Sequence, residues 1–240
     1  MRKITINLAA VAAFCIVVAS PALVSSSCAT PQTEQEDTTI IREDLGITAL
    51  KYSSPEVPSS IEFCGKVIDL SRFDRHERMD RELLAFTYMH STSLQMLKKA
   101  NRYFPIVEPI LKENGIPDDF KYLMVIESNM NPTARSSAGA AGLWQFMQGT
   151  GRDYGLEVNN NVDERYHIEK ATRAACRYLK DAYAKYKDWV AVAASYNAGQ
   201  ARIASQLAKQ DVDDSLDLQL VEETARYVYR ILAAKQLFNA

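Results

Sequence analysis

From Asp74 onward, apolar residues recur at three- and four-residue intervals, and no strand-rich stretch interrupts them. That spacing is the mark of helices burying one stripe each, so the chain is confined to an all-α class. Nine glycines in 240 residues, against abundant Ala, Leu, Lys and Glu, fit the same class. The run RHERMDRELLAFTYMHSTSLQMLKKANRYFPIVEPILKENG reads as one long and one shorter helix stopped at Gly115. Its charged stretch DRHERMDRE reads as a solvated helical face. A helix is expected after IPDD, where Asp118 or Asp119 can cap it. Others are expected from roughly Ile168 to Lys187, from Trp189 to about Asn197, and from about Leu220 to Phe238. IEFCGKVIDL could add a minor β-hairpin around Gly65.

The N-terminus is of another kind. MRK, then INLAAVAAFCIVVASPALV, then SSSC reads as a secretory signal over residues 1–27. Cys28 follows small residues directly and is a candidate lipidation site, although Ser25 stands where a leucine is usual. An ordinary cysteine behind a soluble signal, or one in an uncleaved anchor, is the alternative. Residues 28–60, rich in Thr, Ser, Pro, Gln, Glu and Asp, read as a tether, and residues 61–99 as an N-terminal helical extension of a domain spanning 100–240. Export makes a disulfide chemically possible, but Cys64 and Cys176 read by default as small core residues. Formal charge is −2 with no basic stripe, so no nucleic-acid partner is expected. Without CxxC or HExxH, and with His76, His90 and His167 scattered, no metal and no other cofactor is expected.

One residue sits where the helical pattern does not want it. Phe120, Leu123, Met124 and Glu127 fall at i, i+3, i+4 and i+7, which puts a carboxylate on an apolar stripe. Burial of an ionised carboxylate is costly, and the usual outcome is a raised pKa. Pro132 blocks continuation of this helix and biases Asn131 to an extended conformation, so Glu127 stands at a helix mouth, half in the core and half facing a cleft. That environment suits a general acid at neutral pH. A glutamate snorkelling past the stripe, or paired with a buried arginine, would satisfy the same spacing.

Further on, Ser136, Ser137, Gly139, Ala140, Ala141 and Gly142 carry almost no side-chain bulk, so a ligand could approach the backbone closely. Trp144 offers a flat apolar face of the kind on which sugar rings pack, Gln145 an amide, and Met147 follows in the same segment. Tyr196 and Asn197 interrupt an Ala/Val helix just before Gly199. Leu220, Glu223, Tyr227 and Ile231 share one stripe, placing a second carboxylate and a phenol on a core-facing side. Each polar group could equally be a satisfied buried hydrogen bond.

Four of these segments occur in an order that resembles a known family. ES at Glu127–Ser128, SSAGAAGLWQF at Ser136–Phe146, SYNAG at Ser195–Gly199 and ETARYV at Glu223–Val228 resemble the motifs of lytic transglycosylases with a goose-lysozyme-like (SLT) domain, of the membrane-bound murein transglycosylase D type. The resemblance covers roughly residues 100–238 and includes VDERYHIEKATRAACRYL. It implies a lysozyme-like helical domain with a deep glycan-binding cleft. Glu127 would be the acid and base; Ser136, Trp144, Gln145, Met147, Tyr196 and Asn197 would contact substrate; Ser128, Glu223 and Tyr227 would support the cleft. Peptidoglycan glycan strands are the implied partner and the cell envelope or periplasm the implied location, with the membrane reached through lipid on Cys28. No LysM repeat follows the last helix, so weak independent anchoring to the wall is expected.

Such an enzyme would cleave the β-1,4 bond between N-acetylmuramic acid and N-acetylglucosamine, leaving a 1,6-anhydromuramoyl end. Two rivals stand beside it. A hydrolytic muramidase would need a carboxylate to activate water, for which Asp153, Asp163 and Glu164 are candidates. A catalytically silent peptidoglycan-binding lipoprotein would need none.

Overall fold

The computed structural model describes residues 55–212 and 214–239. The expected signal, Cys15, Cys28 and all but the end of the expected tether lie outside the described residues. The minor hairpin is present: β1 (Ser60–Phe63) runs antiparallel to β2 (Lys66–Asp69), with Ile61 opposite Ile68. Its two turn residues, Cys64 and Gly65, both have positive φ (53° and 84°), the conformation that matches the twist of a tight hairpin. Inward Phe63 packs on Phe120 with ring centroids 5.9 Å apart.

Eight α-helices follow among the described residues: α1 (Phe73–Tyr88), α2 (His90–Glu113), α3 (Phe120–Ser128), α4 (Gln148–Asp153), α5 (Ile168–Tyr186), α6 (Trp189–Ala198), α7 (Gln200–Lys209) and α8 (Glu222–Phe238). None is long and apolar enough to cross a membrane. α8 lies against α1, α3 and α6, while α5 packs on α2 and α6. The centre of this arrangement is α3. Phe120, Tyr122, Leu123, Met124 and Val125 are all buried, so this helix is covered on nearly every side rather than along one stripe. The boundary expected near residue 100 falls inside α2, and the hairpin and α1 contribute to the same hydrophobic core as the later helices.

Several local expectations are corrected. Within DRHERMDRE, Arg75 and Glu82 are buried. Arg75 reaches Asp214 and Asp217 at 2.8 and 3.0 Å, and Glu82 is gripped by Arg226 at 2.7 Å with Arg81 and Arg230 further out. A buried carboxylate persists when several guanidinium groups surround it. Asp119 occupies the N-cap position of α3, but its side chain makes no capping hydrogen bond. Asp119 instead accepts from the Cys64 N–H at 2.6 Å and pairs with Lys235 at 2.7 Å, tying the hairpin to α3 and α8, while Asp118 pairs with Lys121. Cys64 and Cys176 are both free, the second buried in α5. α7 was not expected at all, because Gly199 reads as a stop; it ends α6 and, at φ 84°, turns the chain directly into another helix.

Candidate active site

α3 ends earlier than Pro132 would require. Asn129 and Met130 both adopt left-handed conformations, φ 49° and 56°, and the Asn129 N–H closes the last turn onto the Val125 carbonyl at 2.9 Å. Glu127 therefore lies in the final turn, half-buried. Burial desolvates its carboxyl and pushes the pKa up from 4.5 to about 7; the Tyr227 hydroxyl opposes the rise by hydrogen bonding, and the charge of Glu223 adds to it. The Tyr227 phenol, on α8 and buried, donates to Glu127 Oε1. Oε2 accepts nothing from the described residues. One oxygen is held and the other is available.

Opposite, the Gly/Ser loop is a backbone scaffold. Ala141 bridges to both Arg135 and Phe146, and the buried Arg165 threads the loop, donating to the carbonyls of Gly139 at 2.8 Å and Phe146 at 2.9 Å. Asp163 holds that guanidinium with both oxygens, at 2.7 and 2.9 Å. Gly142 (φ 79°) passes so close to Arg165 that an added Cβ would lie 1.9 Å from its carbonyl oxygen. The scarcity of side chains here thus serves close backbone packing as well as access. Sequence reasoning did not single out Arg165; its signal was the DERY of the segment that accompanies the four motifs.

Gln145, Met147, Tyr196 and Asn197 come together around a hollow of about 300 Å³, joined by Tyr178. Gln145 sits at φ 46° with its amide donating to the carbonyls of Gly142 (2.8 Å) and Ala134 (3.2 Å), which leaves its amide oxygen for a ligand. Met147 is exposed at the rim, just before α4. The Tyr196 hydroxyl donates to the Trp144 carbonyl at 2.8 Å. Desolvation, and after it the charge of Glu127, hold both Tyr196 and Tyr227 well above the ordinary phenol range, so both stay donors. Asn197 Oδ1 accepts from the buried Thr224 of α8 at 2.8 Å, a contact the sequence did not reveal.

Other expected members make different contacts from those expected, although the charge of Glu223 still reaches Glu127. Trp144 is fully buried, and its indole N–H donates to Thr172 Oγ1 on α5 at 2.9 Å. Its ring offers no face to a sugar; it is a core residue that positions the loop. Ser128 is buried, with its hydroxyl turned back to the Met124 carbonyl at 3.3 Å. The Ser136 hydroxyl accepts from the Ala140 N–H at 3.0 Å and so closes its own loop. Glu223 is exposed, since the first turn of α8 protrudes before Tyr227 and Ile231 enter the core. Cavity size is no guide to this chemistry: a larger groove of about 960 Å³ lies along Pro105, Pro109 and Trp189 and contains none of the motif residues. Among the described residues no group of three or more His, Cys, Asp or Glu could hold a metal ion.

Part of the chain is similar to known proteins. The transglycosylase SLT domain matches residues 105–217. Over 168 residues the chain is 30% identical to membrane-bound lytic murein transglycosylase D of Escherichia coli (strain K12), covering 68% of this chain and 36% of that relative. It is 29% identical over 150 residues to membrane-bound lytic murein transglycosylase C of Haemophilus ducreyi, covering 56% of this chain and 40% of that one. The solved lytic transglycosylase Slt of Pseudomonas aeruginosa matches with a TM-score of 0.48 at 19% identity, over 71% of this chain and 34% of its own. The chain therefore spans well under half the length of these curated relatives. The match to the transglycosylase SLT domain thus covers residues 105–217, running from within α2 to the turn that precedes α8.

Proposed function

We propose that this protein is a peptidoglycan lytic transglycosylase in which Glu127 is both acid and base. The observation that carries the reading is a glutamate with a pKa of about 7, one oxygen held by Tyr227 and the other without a partner among the described residues, beside a hollow lined by an amide and phenols. Neutral Glu127 protonates the oxygen leaving C1 of N-acetylmuramic acid. The carboxylate then takes the proton from the 6-hydroxyl of the same sugar as that oxygen closes onto C1, and no water is consumed. The intramolecular hydroxyl needs no second carboxylate to position it.

Two of the three carboxylates a hydrolytic route would draw on are otherwise occupied. Asp163 is bound by Arg165, which holds its pKa below the ordinary range. Glu164 is paired with Lys170 and accepts from the Glu157 N–H, and its pKa is lowered as well. A carboxylate held in its ionised form by such partners is a weak base for water. Asp153 is exposed at the end of α4.

The signal segment and Cys28 add an envelope location with a lipid anchor. Cys28→Ala should move the protein from the membrane fraction to the soluble one; wild-type protein recovered soluble and without lipid would reject the anchor.

The test of the activity is Glu127→Gln, which keeps shape and hydrogen bonding but cannot cycle a proton. Release of muropeptides from purified peptidoglycan should fall roughly 10²–10⁴-fold or more. The variant should also be more stable than wild type above neutrality. A raised folded-state pKa means that the stability Glu127 contributes below pH 4.5 is lost as pH rises through about 7. Gln escapes that loss, so its advantage in urea unfolding should grow over this window to at most about 3 kcal/mol. Near wild-type cleavage by the variant would reject the assignment.

A further inference from the structure

Behind the Glu127 helix lies a second hollow, of about 380 Å³, which the reaction proposed above does not use. Its apolar lining comes from Ala85, Phe86 and Met89 where α1 passes into α2 and from Ile126 on α3; its polar lining comes from Asn129, Arg226, Arg230 and the carboxylate of Glu82. It shares no lining residue with the hollow of the candidate active site, but it is carried by the same two helices: Ile126 precedes Glu127, Asn129 follows it by two residues, and Arg226 precedes the Tyr227 that bonds it.

The charges here do not cancel. Glu82, with a side chain only 2% exposed, is met by Arg226, Arg81 and Arg230, and Arg81 is met in turn by Glu222. Three guanidinium groups against two carboxylates leave one positive charge in this network. Arg226 is committed to Glu82, with two nitrogens at 2.7 and 3.2 Å. Arg230 is not: among the described residues its one partner is Glu82, from Nε at 3.5 Å, so its two terminal nitrogens are unpaired while its side chain stays 37% exposed. The side-chain amide of Asn129 has no partner among them either. A planar guanidinium fork and an amide beside an apolar lining match a carboxylate carried on a short aliphatic chain.

The geometry points to this hollow as the site for a stem-peptide carboxylate of the peptidoglycan strand, read by Arg230 and Asn129. The inference rests on the proposed substrate, whose muramic acid branches into a short peptide bearing carboxylates next to the bond being cleaved. It assigns these two residues to recognising the peptide, separate from the sugar.

The test is a binding measurement by calorimetry on the full chain carrying Glu127→Gln, so that nothing is consumed. The two probes are a GlcNAc–MurNAc tetrasaccharide bearing L-alanyl-D-glutamate with free carboxylates, and the same compound with those carboxylates converted to amides. The free acid should bind about tenfold more tightly, the discrimination expected of one charge-assisted bidentate contact. Adding Arg230→Gln should bring the ratio of the two affinities close to one. Asn129→Gly, which retains the left-handed backbone, should lower it partway. Equal binding of acid and amide, or a ratio that neither variant changes, overturns the inference. Failure of the wild-type chain to cleave peptidoglycan would instead overturn the proposed function, so the two failures are distinct.

Discussion

Desolvation raises the proton affinity of Glu127, the Tyr227 phenol lowers it, and the charge of Glu223 raises it again. In the proposed mechanism the acid form starts the reaction, so kcat/KM should fall about tenfold per pH unit above a pKa near 7. Two substitutions should move that limb in opposite directions. Tyr227→Phe removes the hydrogen bond that favours the carboxylate and should shift it to higher pH; Glu223→Gln removes a repelling charge and should shift it lower. A pH–rate series on the three proteins checks this, and parallel shifts would contradict the account. At this scale the sequence revealed the anomaly but not all its neighbours. Glu127 stood out because the three residues sharing its stripe are Phe120, Leu123 and Met124, all fully buried in the fold. Glu223 looked similar by spacing, yet it lies in a first turn that the core does not reach, and periodicity does not show where a helix emerges from its packing. Trp144 was read as a sugar platform because an indole can serve a ligand or a core equally well; Thr172 on α5, which decides between them, is remote in sequence.

Between residue and fold, the elements divide into those specified locally and those specified by distant partners. The long helices α2, α5 and α8 were legible because each carries enough turns for its apolar stripe to repeat. The short α4 was not, because QGTGRD has too few residues to show a period. Burial of Glu82 in α1 was likewise invisible, since Arg226 and Arg230 come from α8. The SSAGAAGLWQF loop is an intermediate case: its lack of bulk was evident, but the reason includes Arg165 as well as ligand access. Two glycines separate these causes. Gly142→Ala drives a Cβ into the Arg165 carbonyl at positive φ and should cost roughly 2–4 kcal/mol, whereas Gly139→Ala, with nothing within 4 Å, should cost only the left-handed strain of about 1–2 kcal/mol. Urea unfolding midpoints measure both. Equal losses would mean that the loop does not depend on the close approach to Arg165.

On the scale of the whole molecule, one core gathers contributions from Ile61 in the hairpin to Ala234 in α8, and α3 at its centre carries Glu127, half-buried, in its last turn. The hairpin and α1 belong to that core rather than to an appendage: Lys235 of α8 ties to Asp119, and Arg75 of α1 to Asp214 and Asp217. Such ties join residues far apart in sequence, which is why the all-α class was legible and these ties were not. In the proposed mechanism this scaffold needs a single carboxylate, because the nucleophile is the sugar's own 6-hydroxyl. The most direct measurement is mass spectrometry of muropeptides from peptidoglycan digested in ¹⁸O-water by freshly purified protein. Anhydro ends lighter by one water, about 18 mass units, and free of ¹⁸O are the predicted result, in contrast to the two-carboxylate scheme in which water enters the product. Predominantly reducing ends carrying ¹⁸O would contradict it and require a water-activating base that Asp163 and Glu164, bound as they are to Arg165 and Lys170, are poorly placed to be.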